Sequence, residues 1–344
     1  MGSRRGLILR FLNSVLFKIG AYDLSRKVIG SDCTVILRYH SVTGDPSKCA
    51  DLINPGLSEQ TDIFDLQMGH IAKKYTCVSL DDIGIFVKKG KFPKGTIAVT
   101  FDDGFYDNFE FALPILKKYN IPATFYITTR CLDDRELFWP SRTMYLFSNT
   151  AQSVLEDRNF LKRTLQLDTP GRRNEARLLV NQICECLSGV ERARWLDLLE
   201  KKLETNHTKN IPAIMIRSSQ VRELLNCGII VGSHTMTHPN LCKISDEDAW
   251  EELKTSKQEL EKLTGIEIKH FSYPNPFSQP HCDERVISLV RKAGYETAVT
   301  SLWGRCTTSV NAFAIPRIGI VHHERTLKNF ASGIEKARLG VKRG

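Results

Sequence analysis

The stretch 96-TIAVTFDDGFYDN-108 decides how the chain is read. Ile97, Ala98 and Val99 make an apolar run that stops abruptly at Asp102, Asp103 and Gly104. A short continuous run of this kind, with β-branched residues in it, fits a strand covered on both faces, as in a parallel sheet. Two adjacent carboxylates at the end of such a strand repel each other. Burial raises a carboxyl pKa unless a cation is near. Asp-Asp-Gly is also ordinary turn chemistry, and on its own the stretch is most cheaply a turn. The question it poses is whether a cation is supplied from elsewhere in the chain.

On the N-terminal side, 33-CTVILRY-39 is a first buried strand, with His40 at its exit. A histidine there either looks into a pocket or caps the strand. Residues 41–60 are polar and contain Gly44, Pro46, Pro55 and Gly56, so a long loop is expected. Helical spacing follows at 61–75 and again at 81–89, closed by Gly90. After the opening stretch, Asp107 is placed to cap a helix running to about Tyr119, and 123-ATFYIT-128 is the next strand. Strand, helix and strand at this spacing form a parallel βαβ unit.

Residues 131–215 break the rhythm, beginning at Phe138-Trp139-Pro140. They are expected to be mostly helical (161–167, 175–187, 191–203) and to form an inserted lid or rim. The rhythm resumes with a helix at 219–227, the strand 229-IIVGSH-234, a long helix at 246–263 closed by Gly265, and 270-HFSYPNP-276. A helix at 283–293, a strand at 297–300 and 314-AIPRIGI-320 complete it. Repeated strand-then-helix units mean an α/β fold, either a parallel sheet or a barrel.

The chain has 344 residues with 42% hydrophobic and 25% charged, an ordinary globular composition. Its net charge of +9 is concentrated at the ends: residues 1–27 and 317–344 each carry +5. A nearly neutral body with two basic ends argues against a nucleic-acid cleft. It suits solubility or an anionic surface such as a membrane. The ten cysteines form no CxxC pair, which points to a reducing compartment. No transmembrane span is evident. In residues 1–30, Ile8, Phe11, Leu12, Val15, Leu16 and Ile19 share one helical face and Arg10, Ser14 and Lys18 lie opposite. Such an amphipathic helix packs on the protein or lies on a membrane surface. Arg10, Asn13 and Lys18 interrupt it too much for a secretory signal, so a cytoplasmic location, peripheral to the inner membrane face at most, is expected. A basic tail occupies 331–344.

The second candidate for chemistry is 232-GSHTMTHPN-240. His234 and His238 follow a buried strand, and two histidines so placed can converge on one metal. By themselves they are as readily core or turn histidines. With Asp102-Asp103 at another strand end the balance changes, because parallel α/β folds gather the carboxyl ends of strands on one face. One Asp and two His make a three-ligand set that leaves room for water, the pattern of a hydrolytic metal site.

Taken together, 100-TFDDGFYDN-108, 124-TFYIT-128, 232-GSHTMTHPNL-241 and 271-FSYPNP-276 resemble the polysaccharide deacetylases of carbohydrate esterase family 4, the NodB-homology domain. The resemblance is strongest to the exopolysaccharide and poly-N-acetylglucosamine deacetylase branch, and covers roughly residues 31–130 and 216–330. It implies a distorted (β/α)7 TIM-like barrel and a divalent metal, zinc first, with cobalt or nickel as alternatives. It implies Asp103, His234 and His238 as ligands and Asp102 as the base acting on water. It implies a backbone N–H near Phe105 or Tyr106 for the oxyanion. The family's late histidine acid corresponds to His322, with His40 and His281 as lesser candidates. Ser272 stands where the family has an arginine, and Arg317 is the candidate to pair with Asp102 in its place. Tyr273 keeps part of that motif, and His40 is a substrate-side candidate. Trp139 either stacks on a sugar ring or belongs to the core. The implied substrate is an N-acetylated glycan or glycolipid. A deformylase, a small-amide hydrolase or an inactive glycan-binding protein are the rival readings.

Overall fold

The computed structural model describes residues 33–320 apart from 135, 159, 207–210 and 275–277. The amphipathic segment, His322 and the basic tail lie outside the described residues.

Seven strands form a closed parallel barrel: β1 (Cys33–Tyr39), β2 (Thr96–Phe101), β3 (Ala123–Ile127), β4 (Ile230–Ser233), β5 (His270–Ser272), β6 (Thr297–Trp303) and β7 (Ile315–Gly319). Each strand pairs with the next in chain order, and β7 and β2 both pair with β1, which closes the ring. The closure is uneven. β1 and β2 share five paired residues from Val35↔Ile97 to Tyr39↔Phe101, whereas β4 and β5 meet only at Phe271↔Ser233. The β6–β7 register slips between Val299 and Trp303. This is the distorted (β/α)7 barrel that the resemblance implied.

The period of two along a strand explains why the opening stretch is apolar throughout. Ile97, Val99 and Phe101 join the outer core, where helices cover the barrel. Ala98 belongs to the inner cluster with Ile36, Tyr126, Val299 and Ile315. Thr100 and Asp102 continue that inner file towards the carboxyl end, where the interior turns polar. The outer helices are α1 (Thr61–Lys74), α2 (Leu80–Lys89), α3 (Leu113–Lys118), α7 (Ser218–Asn226), α8 (Asp246–Thr264) and α9 (Glu284–Lys292). The chain signals their ends as expected. Ser79 and Asp82 form a capping box on α2, and left-handed Gly90 and Gly265 close α2 and α8.

The insertion has a core of its own around Trp139, Phe147, Val180, Trp195 and Leu199. It holds α4 (Trp139–Asn149), α5 (Pro170–Cys184) and α6 (Gly189–Lys202). The helix expected at 161–167 is instead the strand Arg163–Gln166, paired antiparallel with Val154–Asp157. The i, i+4 spacing of Leu161 and Leu165 mimicked a helix, but Leu165 lies across from Leu155. Two smaller expectations also change. The 41–60 loop contains a short parallel pairing of Ser41–Thr43 with Ser58–Gln60. Asp107 does not cap its helix; its carboxylate accepts from Ser41 Oγ at 2.5 Å, and the chain first makes a wide turn at Asn108–Ala112. None of the ten cysteines is in a disulfide. Among the described residues no helix is long and apolar enough to cross a membrane.

Candidate metal centre and catalytic cavity

The exits of β2 and β4 bring Asp103, His234 and His238 together at the carboxyl end of the barrel. Asp103 Oδ1 lies 3.3 Å from His234 Nε2 and 3.4 Å from His238 Nε2. All three are buried, and their donor atoms lie within 4.8 Å of one another. Those separations match the ligand spacing around a tetrahedral ion with bonds of about 2.0–2.2 Å. His234 Nδ1 lies 2.7 Å from the Ser272 carbonyl, which fixes the proton on Nδ1 and leaves the Nε2 lone pair for a metal. Burial, ahead of the raising effect of Asp103, keeps the His238 pKa low, so its imidazole is neutral, the form that ligates. Asp103 is held well below the usual carboxylate range: burial opposes ionisation, but the two imidazoles overcome it. The donor set therefore fits a divalent cation.

The backbone is bent to make this site. Asp103, Thr235 and His238 adopt φ of 74°, 67° and 60°. Left-handed geometry costs a non-glycine residue about 1–2 kcal/mol. Gly104, at φ 86°, follows directly, and a Cβ there would stand 3.3 Å from Ile127 Cδ1.

Asp102 is next to Asp103 in sequence but has a different environment. Arg317, fully buried on β7, forks onto it: Nη1 reaches Oδ1 at 2.8 Å and Nη2 reaches Oδ2 at 2.6 Å. Ser272 Oγ sits between them, accepting from Arg317 Nη2 at 2.9 Å and donating to Asp102 Oδ1 at 3.2 Å. Arg317 Nε also donates to the Thr300 carbonyl at 3.0 Å. The small side chain at 272 is what lets an arginine come from β7. Burial works against the Asp102 charge, but Arg317 and then His234 hold the carboxyl well below its ordinary range.

Asp102, Asp103, His234 and His238 line a cavity of about 210 Å³. His40 lines it, and burial pushes its imidazole down to about 4. Phe105 lines it too. Its pairing with Met215 is held by Tyr106 N–H donating to the Ile214 carbonyl and Ile216 N–H to the Gly104 carbonyl. Tyr106 N–H is thereby used, whereas Phe105 N–H faces away from that pairing and makes no hydrogen bond among the described residues. Of the two oxyanion candidates, only Phe105 has a free donor.

Three other candidates stand elsewhere than the sequence suggested. Tyr273 is buried in the outer core and donates to the Phe313 carbonyl at 2.8 Å, so it does not face the cavity. His281 Nε2 accepts from Ser301 N–H at 3.1 Å, which occupies the nitrogen an acid would use. Trp139 is 5% exposed and belongs to the insertion core, so it offers no sugar-stacking face in the cavity. Its Nε1 donates to the His238 carbonyl at 2.9 Å. Its neighbour Phe138 is the aromatic that lines the cavity, 4.9 Å from the His238 ring.

The bond from Trp139 is one of several on the histidine loop. Arg192 of α6 donates to the Thr237 carbonyl at 2.7 Å. Glu252 of α8 accepts from Met236 N–H at 2.8 Å and Thr237 N–H at 2.9 Å. Sequence reasoning did not find Trp139, Arg192 and Glu252 in these roles, nor Arg38, Met144 and Arg177, which line the cavity. Arg38 had a signal, since it lies two residues before His40 and shares its strand face.

The profile of the polysaccharide deacetylase family matches residues 89–163 and 192–298, passing over the middle of the insertion. A poly-β-1,6-N-acetyl-D-glucosamine N-deacetylase of Staphylococcus aureus is 48% identical over 52 residues, 15% of this chain and 18% of that protein. The matched stretch thus spans under a fifth of this relative. Two solved structures share the fold. The deacetylase PplD of Streptococcus pyogenes, in complex with acetate, aligns with a TM-score of 0.58 at 18% identity, over 87% of this chain and 97% of that one. IcaB of Ammonifex degensii aligns with a TM-score of 0.55 at 14% identity, over 88% and 98%.

Proposed function

We propose a function from one premise: the chain belongs to the polysaccharide deacetylase family. The reading is a metal-dependent hydrolase of a non-peptide carbon–nitrogen bond. It removes the N-acetyl group of an amino sugar in a polysaccharide or lipid-linked glycan. The observation that carries it is the meeting of Asp103, His234 and His238 beside an Asp102 held ionised by Arg317. The local similarity to the Staphylococcus poly-N-acetylglucosamine deacetylase supports an N-acetylglucosamine-type sugar.

Asp103, His234 and His238 would hold the cation, and two imidazoles with one carboxylate suit zinc, with cobalt or nickel as alternatives. When bound, it supplies Lewis acidity that brings the pKa of a water molecule towards neutrality. Asp102 takes the proton. Arg317 and Ser272 engage Oδ1 twice and Oδ2 once, which leaves an Oδ2 lone pair for this task. Phe105 N–H receives the developing oxyanion. The proton that Asp102 takes is the one available to the departing amine, and His40, neutral because burial lowers its pKa to about 4, lines the cavity as a hydrogen-bonding group for the substrate. The ring of Phe138 closes the cavity beside His238 and keeps bulk water from it.

The test uses the purified full chain, with elemental analysis for divalent metal and acetate release from N-acetylglucosamine oligomers and lipid-linked N-acetyl sugars. A stoichiometric ion and acetate release, lost on chelation and restored by zinc, cobalt or nickel, are expected. Absence of both a bound ion and acetate release after metal loading would overturn the reading.

A further inference from the structure

The cavity holds a cation that the proposed reaction does not use. Arg38 extends from β1 and lines the same space as Asp102, Asp103 and His40. Its Nε is buried and has no hydrogen-bond partner. Among the described residues none of its guanidinium nitrogens donates a hydrogen bond, and no carboxylate is within salt-bridge distance. The nearby acids are otherwise engaged: Asp102 is taken by Arg317, and Asp103 by the two imidazoles. A half-buried guanidinium whose buried Nε is left without an acceptor is costly.

The barrel makes room for this side chain. Arg38 pairs in register with Gly319 on β7, and its Nη2 lies 3.0 Å from where a Cβ of residue 319 would stand. The glycine at 319 leaves the space into which the guanidinium reaches. A second arginine comes from the insertion. Arg177 of α5 lines the same cavity, and its side-chain partner is the neutral Asn174, at 2.7 Å from Nη2.

The charges do not balance in favour of a neutral ligand. Arg317 and Asp102 cancel, and Asp103 is committed to the metal position. Arg38 and Arg177 remain, and a divalent cation would add further positive charge.

We propose that Arg38 and Arg177 form an anion subsite within the catalytic cavity, so that the amino sugar whose amide is cut itself carries a phosphate or carboxylate group. The assignment rests on the deacetylase reading above and deepens it to a substrate class. Arginine suits this task because its planar donors grip a phosphate or carboxylate in bidentate fashion.

The experiment is calorimetric binding to the zinc-loaded full chain. The probes are N-acetylglucosamine, its 1-phosphate, its 6-phosphate and N-acetylglucosaminuronate. The proteins are the wild type, Arg38→Gln, Arg38→Lys and Arg177→Gln. At least one charged sugar binds the wild type on the order of tenfold or more tightly than the neutral one. Arg38→Gln removes that preference, Arg177→Gln reduces it, and Arg38→Lys retains part of it. Whether phosphate or uronate is preferred identifies the source of the anion. Equal binding of neutral and charged sugars by the wild type overturns the proposal, as does an undiminished preference in Arg38→Gln. Should Arg38→Gln lose its fold by circular dichroism, the lysine variant and Arg177→Gln decide. Binding requires no turnover, so a chain that releases no acetate from any sugar defeats the deacetylase reading separately, whereas acetate release with no charge preference defeats only the subsite.

Discussion

Asp102 and Asp103 share a peptide bond yet meet different partners, because the left-handed backbone at Asp103 turns its carboxylate towards the histidines while Asp102 meets Arg317. Asp102→Asn should lower turnover by roughly 10²–10⁴-fold, the usual worth of a general base. It should keep the bound metal, since Asp102 stands outside the three-ligand set. Elemental analysis and acetate release on one preparation check this, and loss of metal in Asp102→Asn would reverse the assigned roles. Arg317→Met makes a second test. It leaves Asp102 buried without its partner, which costs about 3–5 kcal/mol of stability, measurable by urea denaturation. The sign with pH follows from the depressed Asp102 pKa. Its stabilising contribution is complete above the ordinary carboxylate range, about pH 4, and is lost as pH falls through the lower folded value. Without Arg317, burial is unopposed by its charge and the Asp102 pKa rises. The acid limb of kcat/KM in Arg317→Met should therefore move to higher pH. A limb that stays in place would mean that another group sets it.

At the scale of the element, the decisive piece is the turn after β4 that carries both histidines. Thr235 and His238 hold unfavourable backbone there, and a strained loop persists only when its surroundings over-determine it. Trp139 and Arg192 grip two of its carbonyls from the insertion, and Glu252 grips two of its N–H groups from α8. Burial raises the Glu252 pKa, and those N–H donors only partly offset it. Trp139→Phe keeps an aromatic ring in the insertion core and removes the bond to the His238 carbonyl. Metal affinity should fall about 10–100-fold, as for other groups that orient ligands, with the far-ultraviolet circular dichroism unchanged. Competition against a chromogenic chelator measures it. Unchanged affinity would mean that the loop needs no support from the insertion.

At the scale of the whole molecule, the barrel was legible because parallel strands buried on both faces read as unbroken apolar runs, and 97–101 and 123–127 are such runs. Their closure through β1 was not, because pairing of Val35 with Ile97 joins residues far apart in the chain and leaves no local pattern. The meeting of Asp103, His234 and His238 was legible from residue type at strand exits, and the pairing of Arg317 with Asp102 from the resemblance. The tautomer of His234 and the clamp by Trp139 depend on which elements meet, and no spacing encodes that. The insertion was least legible: its core is separate from that of the barrel, and its helices carry only modest apolar faces. That separation gives the last prediction. Segments with their own core open independently unless something couples them. Here the coupling runs through hydrogen bonds from Trp139 and Arg192 to the loop of His234 and His238, and from Asn240 N–H to the Glu185 carbonyl just after α5. Zinc should therefore slow amide exchange at 234–238 and also at 139–149 and 189–202, the helices that supply those bonds. It should protect α5 at 170–184 less, because only the C-terminal end of that helix, at Cys184 and Glu185, is bonded to Arg192 and to the loop. Hydrogen exchange with mass spectrometry, with and without zinc, reads this directly. Protection confined to the ligand loops would show that barrel and insertion are energetically independent. Protection spread equally over α5 would show one cooperative unit in place of two coupled through the clamp.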